Sequence, residues 1–126
     1  MARSQHRSIL KVTGGLYRSF RGKRKTELAG YPAMTRLSEE KKLQIKRVPG
    51  GNKKVSLIAG NQINVTDKKG KAVKTQIINV IENPANPNLV RRNVLTKGAV
   101  VETKLGKARI TSRPGQEGTV NGILLA

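Results

Sequence analysis

The sequence predicts an all-β protein, a small antiparallel β-barrel or sandwich of short strands that carries a long, basic, extended N-terminal arm. Three observations point there. From about residue 42 onward, apolar and polar residues alternate over short stretches, the period of a half-buried strand. Clusters of Gly, Pro and Asn separate those stretches at close, even spacing, the punctuation of barrels and sandwiches. The first 37 residues follow neither the helical nor the strand period and carry a dense positive charge.

Taken in order, residues 1–37 form the arm and residues 38–126 the β-domain. In the arm, Ile9, Leu10, Val12 and Leu16 are apolar, but basic residues and Gly14-Gly15 interrupt them. Such a segment is expected to be ordered by its partner rather than by a core of its own. Tyr31-Pro32 marks the way out, because the residue before a proline is held extended. Ser38–Lys42 is the best short helix candidate and is too brief to shape the fold. The first strand segment holds Leu43 and Ile45 and stops at the turn Val48-Pro49-Gly50-Gly51-Asn52. The second runs from Lys53 to Ala59. The third runs from Gln62 to Thr66, with Ile63 and Val65 on one face, and closes at Asp67-Lys68-Lys69-Gly70. Val73 to Ile81 is the longest; its second half is apolar on both faces, as expected for a central strand. Asn83-Pro84-Ala85-Asn86-Pro87 forbids regular structure, since prolines remove donors and Asn side chains favour turns. In the last third, Ala99, Val101, Thr103 and Leu105 share one face, with Glu102 and Lys104 opposite. Lys107–Ser112 turns Ala108 and Ile110 inward, and Arg113–Gly118 leads into a final strand, Thr119–Leu125.

The three aromatic residues, Tyr17, Phe20 and Tyr31, all lie in the arm. The β-domain core is therefore built from Val, Ile and Leu, which fit a pleated surface well.

Charge addresses partners rather than fold. The chain of 126 residues has 26 Lys and Arg against 7 Asp and Glu, a net charge of +19. That excess points to a polyanion, nucleic acid before membrane, since no apolar run nears the roughly 18 residues of a membrane span. With no cysteine, a disulfide framework, a thiolate nucleophile and a zinc finger are excluded. The N-terminus lacks the apolar stretch of a secretory signal, and Gly14-Gly15 with Lys23-Arg24-Lys25 break the amphipathic helix of a transit peptide.

The densest run is Arg18-Ser-Phe-Arg-Gly-Lys-Arg-Lys25, with five cations, one aromatic ring and no acid in eight residues. Charges of this density cannot be buried unpaired. They stay solvated or meet a polyanion. The bias extends upstream through Arg3, Arg7 and Lys11, so the candidate phosphate contacts are Arg3, Arg7, Lys11, Arg18, Arg21, Lys23, Arg24 and Lys25. Tyr17 and Phe20 beside arginine planes suit stacking on unpaired bases, which favours irregular RNA over duplex DNA. The alternative for Phe20 is an apolar peg packed on the β-domain. The turn before Asn52, Lys53 and Lys54, with Arg47 just ahead of it, could simply reverse the chain. It also brings backbone N–H groups and cations close to a phosphate, so Arg47, Asn52, Lys53 and Lys54 are read as RNA contacts. Arg91, Arg92 and Arg113 flank the later loops and would extend a basic face. The sequence has no phosphate-binding P-loop and no G-x-G-x-x-G pattern. His6 is the sole histidine, and the acids Glu27, Glu39, Glu40, Asp67, Glu82, Glu102 and Glu117 are scattered. No catalytic set, metal-ligand set or cofactor motif is expected.

Thr13-Gly14-Gly15, then Arg21-Gly-Lys-Arg-Lys-x-Glu27-Leu28 and Arg47-Val-x-Gly-Gly-Asn-Lys-Lys54 resemble the S8e family of small-subunit ribosomal proteins. Glu82-Asn-Pro-Ala-Asn-Pro-Asn88, Val90-Arg-Arg-Asn93, Thr96-Lys-Gly98 and Ala108-Arg-Ile-Thr-Ser-Arg-Pro-Gly-Gln-Glu-Gly118 resemble its short archaeal form. The resemblance spans nearly the whole chain in order. It implies a structural component of the archaeal small ribosomal subunit in the cytoplasm. Such a component has a β-barrel-like domain, is bound to small-subunit ribosomal RNA beside neighbouring ribosomal proteins, and needs no catalysis, cofactor or small-molecule substrate. The chain departs from the family pattern at Ala29-Gly30-Tyr31 and at Pro49, so no contact residue is carried over there. On charge alone, the rival is an archaeal chromatin-type or general nucleic-acid-binding protein.

Overall fold

The computed structural model describes residues 8–18, 20–67 and 69–125, and its contacts divide the chain between Pro32 and Ala33 into two units. Within the first, residues 9–17 form a small hairpin. The Lys11 N–H donates to the Gly15 carbonyl (2.7 Å), the Gly14 N–H to the Lys11 carbonyl (3.0 Å), and Leu10 bridges Leu16. This three-residue loop needs a left-handed residue at its end, and Gly14 supplies it at φ +83. A single turn of 3-10 helix follows at Lys25–Glu27.

Among its described residues the second unit has seven strands: β1 (Lys42–Arg47), β2 (Lys53–Ala59), β3 (Gln62–Thr66), β4 (Ala72–Glu82), β5 (Val100–Thr103), β6 (Gly106–Ile110) and β7 (Asn121–Leu124). β3 to β7 close into a five-stranded barrel in sequence order, while β1 and β2 form a separate antiparallel hairpin. Neighbours in the barrel are antiparallel except at the seam, where β3 and β7 run parallel. The alternation read from the sequence holds inside it. Ile63, Val65, Val101, Thr103, Ala108 and Ile110 are buried, and Glu102, Lys104 and Arg109 are exposed. The core is aliphatic throughout.

The seam depends on a close approach. A Cβ on Gly122 would lie 2.9 Å from the Arg109 carbonyl oxygen and 3.0 Å from Ile63 Cδ1. A side chain there would hold β7 off both neighbours.

The second half of β4 corrects one expectation. Ile77 and Val80 are buried, but Ile78 is 56% exposed and Ile81 is 41% exposed, so the strand is covered on one face only. The register against β5 shifts between Ile77 and Asn79 and again between Val80 and Glu82. Each bulge inserts a residue and bends the strand, which is how a short sheet coils into a barrel. The slipped alternation makes a one-faced strand look apolar on both faces. Leu105 likewise departs from its expected inward face and stands 52% exposed in the β5–β6 turn. The last two strands are also shorter than the apolar pattern suggests. Ser112 lies just beyond β6, where its hydroxyl donates to the Thr119 carbonyl (3.3 Å) and accepts from the Asn121 N–H (2.8 Å).

At the end of the Asn-Pro loop the chain forms a short 3-10 helix, Pro87–Arg92, which starts on the last residue of the stretch expected to be irregular. The Asn86 side chain caps it by accepting from the Asn88 N–H (2.9 Å), and Pro87 occupies the first helical position, where its missing N–H costs nothing. Residues 33–37, which the sequence reading assigns to the arm, lie in the second unit. The fully buried Thr35 hydroxyl donates to the Leu57 carbonyl (2.6 Å), and Arg36 bridges both Ala59 and Val94. Ser38–Lys42 is not helical; Lys42 opens β1 and its ammonium pairs with Glu40 at 3.1 Å.

Candidate nucleic-acid interface

Two sets of cations are positioned in different ways, one in each unit. In the first, Lys11 Nζ stands 5.8 Å from the Tyr17 ring centroid, and the Arg21 guanidinium lies 5.4 Å from that of Phe20. Phe20 is 94% exposed, an open apolar face next to a cation. Arg18, Lys23, Arg24 and Lys25 are all exposed. Arg3 and Arg7 lie outside the described residues.

Arg21 is engaged inside its own unit. Its guanidinium grips the Glu27 carboxylate with both terminal nitrogens, Nη1 donating to Oε2 at 3.0 Å and Nη2 to Oε1. The hydrogen bond raises the Arg21 pKa above its ordinary value; desolvation opposes this, and the carboxylate's charge adds to it. Glu27 also accepts from the Arg24 N–H (3.4 Å), while its own N–H donates to the Arg24 carbonyl (3.0 Å). One carboxylate therefore folds residues 21–27 into a loop that displays Lys23, Arg24 and Lys25. Sequence reasoning treated Glu27 as one scattered acid. The available signal was that no other acid precedes Glu39.

In the second unit, the β1–β2 hairpin carries the other set. The strand register places Lys46 directly opposite Lys54 and Arg47 directly opposite Lys53. All four are exposed, and the sequence holds no acid between Lys41 and Thr66. Like charges directly opposed across a strand pair are destabilising. A hairpin tip that concentrates them has a standing electrostatic demand for an anion. Opposed residues share a face and successive residues alternate, so Lys46 and Lys54 occupy one face while Arg47 and Lys53 occupy the other. At the tip, the Val48 N–H donates to the Asn52 carbonyl (2.9 Å) across the Pro49–Gly51 turn. Lys46 was missed from sequence because only the register reveals what it faces.

The hairpin is held against the turn that Arg113 opens. The Leu57 N–H donates to the Pro114 carbonyl (2.8 Å), Ser56 Oγ to the Gly115 carbonyl (2.8 Å), and Lys54 Nζ to Gln116 Oε1 (3.3 Å). The structure thus brings the Arg113 turn beside Lys54. Arg91 and Arg92 are exposed in the last turn of the Pro87–Arg92 helix, which packs on β4. Among the described residues no three of His, Asp and Glu gather as metal ligands would, and no helix is long and apolar enough to cross a membrane.

The model of the family "Ribosomal protein S8e" matches residues 4–125. This chain belongs to the S8e family. Its relatives named "Small ribosomal subunit protein eS8" include that of Methanobrevibacter smithii, 51% identical over 126 residues, covering 99% of this chain and all of the relative. Those of Methanococcus aeolicus and Methanocorpusculum labreanum are 48% and 49% identical, each covering 96% of this chain and 95% and 97% of their own. The match takes in the arm, the hairpin and the barrel alike, so both basic regions lie within it.

Proposed function

We propose that this S8e chain is a structural protein of the small ribosomal subunit in the cytoplasm, held to small-subunit ribosomal RNA by phosphate contacts and flanked by other ribosomal proteins. The observation that carries the reading is the hairpin tip, where four cations are paired like with like and no acid of the hairpin answers them. Phosphates turn that repulsion into attraction and release counterions as they bind. Arg18, Lys23, Arg24 and Lys25 supply a second set of contacts from the arm, joined by Lys11. Arg3 and Arg7 extend it. Tyr17 and Phe20 offer ring faces to unpaired bases. Arg113 adds to the hairpin's field, and Arg91 and Arg92 make a further contact point. Arg21 acts first on Glu27 and only then on RNA.

Competition binding across a salt series tests this. Labelled small-subunit ribosomal RNA is challenged with duplex DNA and with unrelated structured RNA. The ribosomal RNA should win, and removing residues 1–25 should lower the salt slope by about 0.7 for each lost phosphate contact on unpaired strands. Equal competition by duplex DNA would favour a chromatin-type binder instead.

A further inference from the structure

Between the base of β2, the start of β3 and the segment entering β7 lies a cavity of about 150 Å³. Leu57 and Val120, both buried, form its apolar floor. Gly60 and Gly118 also line it; the side of Gly118 that lacks a Cβ is packed against Val55 and Leu43 of the hairpin. Asn61, Asn64, Lys41, Lys74 and Glu39 are among the polar residues that line it. Asn64 and Lys74 are directly opposed on β3 and β4, hence on one face. Asn64 Nδ2 already donates to Asn121 Oδ1 (3.0 Å), which fixes the amide and leaves its own Oδ1 to accept.

An apolar floor, a few convergent polar groups and a nearby cation make up a small-ligand site. Here they match a nucleotide, whose ring faces are apolar, whose edge is polar and whose phosphate is anionic. Size narrows the choice. A cavity of roughly 150 Å³ holds one six-membered ring. We propose that this cavity receives a single unstacked pyrimidine nucleotide from a non-duplex segment of the bound RNA, a reading that rests on the RNA-binding function above. The ring covers Leu57 and Val120, the Asn64 carbonyl accepts from the cytosine amino group or the uracil imide, and Lys74 meets the phosphate. Single-stranded RNA is usually read on aromatic rings. The second unit has none, so an aliphatic slot takes that place.

The test is an amide chemical-shift titration of the ¹⁵N-labelled full chain with CMP and UMP, beside AMP, GMP and ribose 5-phosphate. At millimolar concentrations the pyrimidine nucleotides should shift Gly60, Asn61 and Val120 saturably, with the purine nucleotides about tenfold weaker or more, because a fused two-ring base exceeds the cavity. Asn64→Leu should weaken CMP binding by a similar factor and leave ribose 5-phosphate unchanged. Lys74→Gln, exposed and outside the core, should also weaken CMP binding. Shifts reproduced by ribose 5-phosphate, equal binding of purines, or no shifts at all would overturn the pocket. A ribosomal-RNA salt slope that stays intact alongside any of those results removes the pocket alone. Loss of that slope as well removes the RNA reading.

Discussion

The arm run at residues 18–25 and the tip of the β1–β2 hairpin are similar in composition and opposite in construction. Both crowd cations around a glycine. In the arm, the single carboxylate of Glu27 takes Arg21 for itself and shapes the loop. In the hairpin no acid is present, and backbone pairing forces Lys46 against Lys54 and Arg47 against Lys53. The arm is shaped by charge attraction. The hairpin keeps its shape despite repulsion, because β2 is pinned by the Pro114 and Gly115 carbonyls and by Thr35. Charge density alone therefore does not say which cations are ready for a phosphate; the partner each one already has decides it.

The largest effect should come from removing the repulsion. Replacing Lys46, Arg47, Lys53 and Lys54 together with Gln should lower the salt slope of RNA binding by about three. Thermal stability should stay level or rise, because opposed like charges are gone. A fall in both, measured by filter binding and calorimetry, would mean that the tip is structural. Gly122→Ala should destabilise the barrel by about 1–3 kcal/mol through overpacking at the seam. Its mark in a urea melt is a lower midpoint, with the hairpin of residues 9–17 unchanged by NMR. Thr35→Val strips the buried Leu57 carbonyl of its donor and should cost about 1–3 kcal/mol. That loss would loosen the hairpin's anchorage, visible as faster amide exchange in β2. The smallest effect belongs to the arm. Glu27→Gln should leave the melting temperature unchanged, since exposed ion pairs contribute little. By freeing Arg21 it should raise the salt slope by up to about one. An unchanged slope would show that Arg21 never reaches RNA. Because the Arg21 pKa is raised, the pair's contribution on the Arg21 side is fully present at every pH below arginine's ordinary range, and is lost only as pH rises through the elevated value. Binding curves at neutral and mildly alkaline pH should therefore superimpose for that contact.

Much of this was legible in the chain itself. β2 and β3 begin and end where the alternation does, and β4 is one residue longer at each end than its apolar run. The buried faces of β3, β5 and β6 follow from period two. The aliphatic core follows from the placement of all three aromatics before residue 32. The bias toward a polyanion follows from +19, and the family from its ordered motifs. These are properties of composition and of neighbours along the chain, which local physics reads directly.

Three things were decided only by tertiary structure. The barrel closes through a parallel seam that sets Val65 against Gly122, residues far apart in sequence, and no local pattern encodes such a partner. The bulges in β4 exist because a closed sheet must coil, and they place Ile78 and Ile81 outside. The like-charge rungs of the hairpin, and the cavity at its base, arise where strands and loops from distant positions converge. Sequence patterning specifies which face of a segment seeks the core. Which segment lies beside it is settled by packing, register and chain closure, and it is there that the charges and the pocket acquire their geometry.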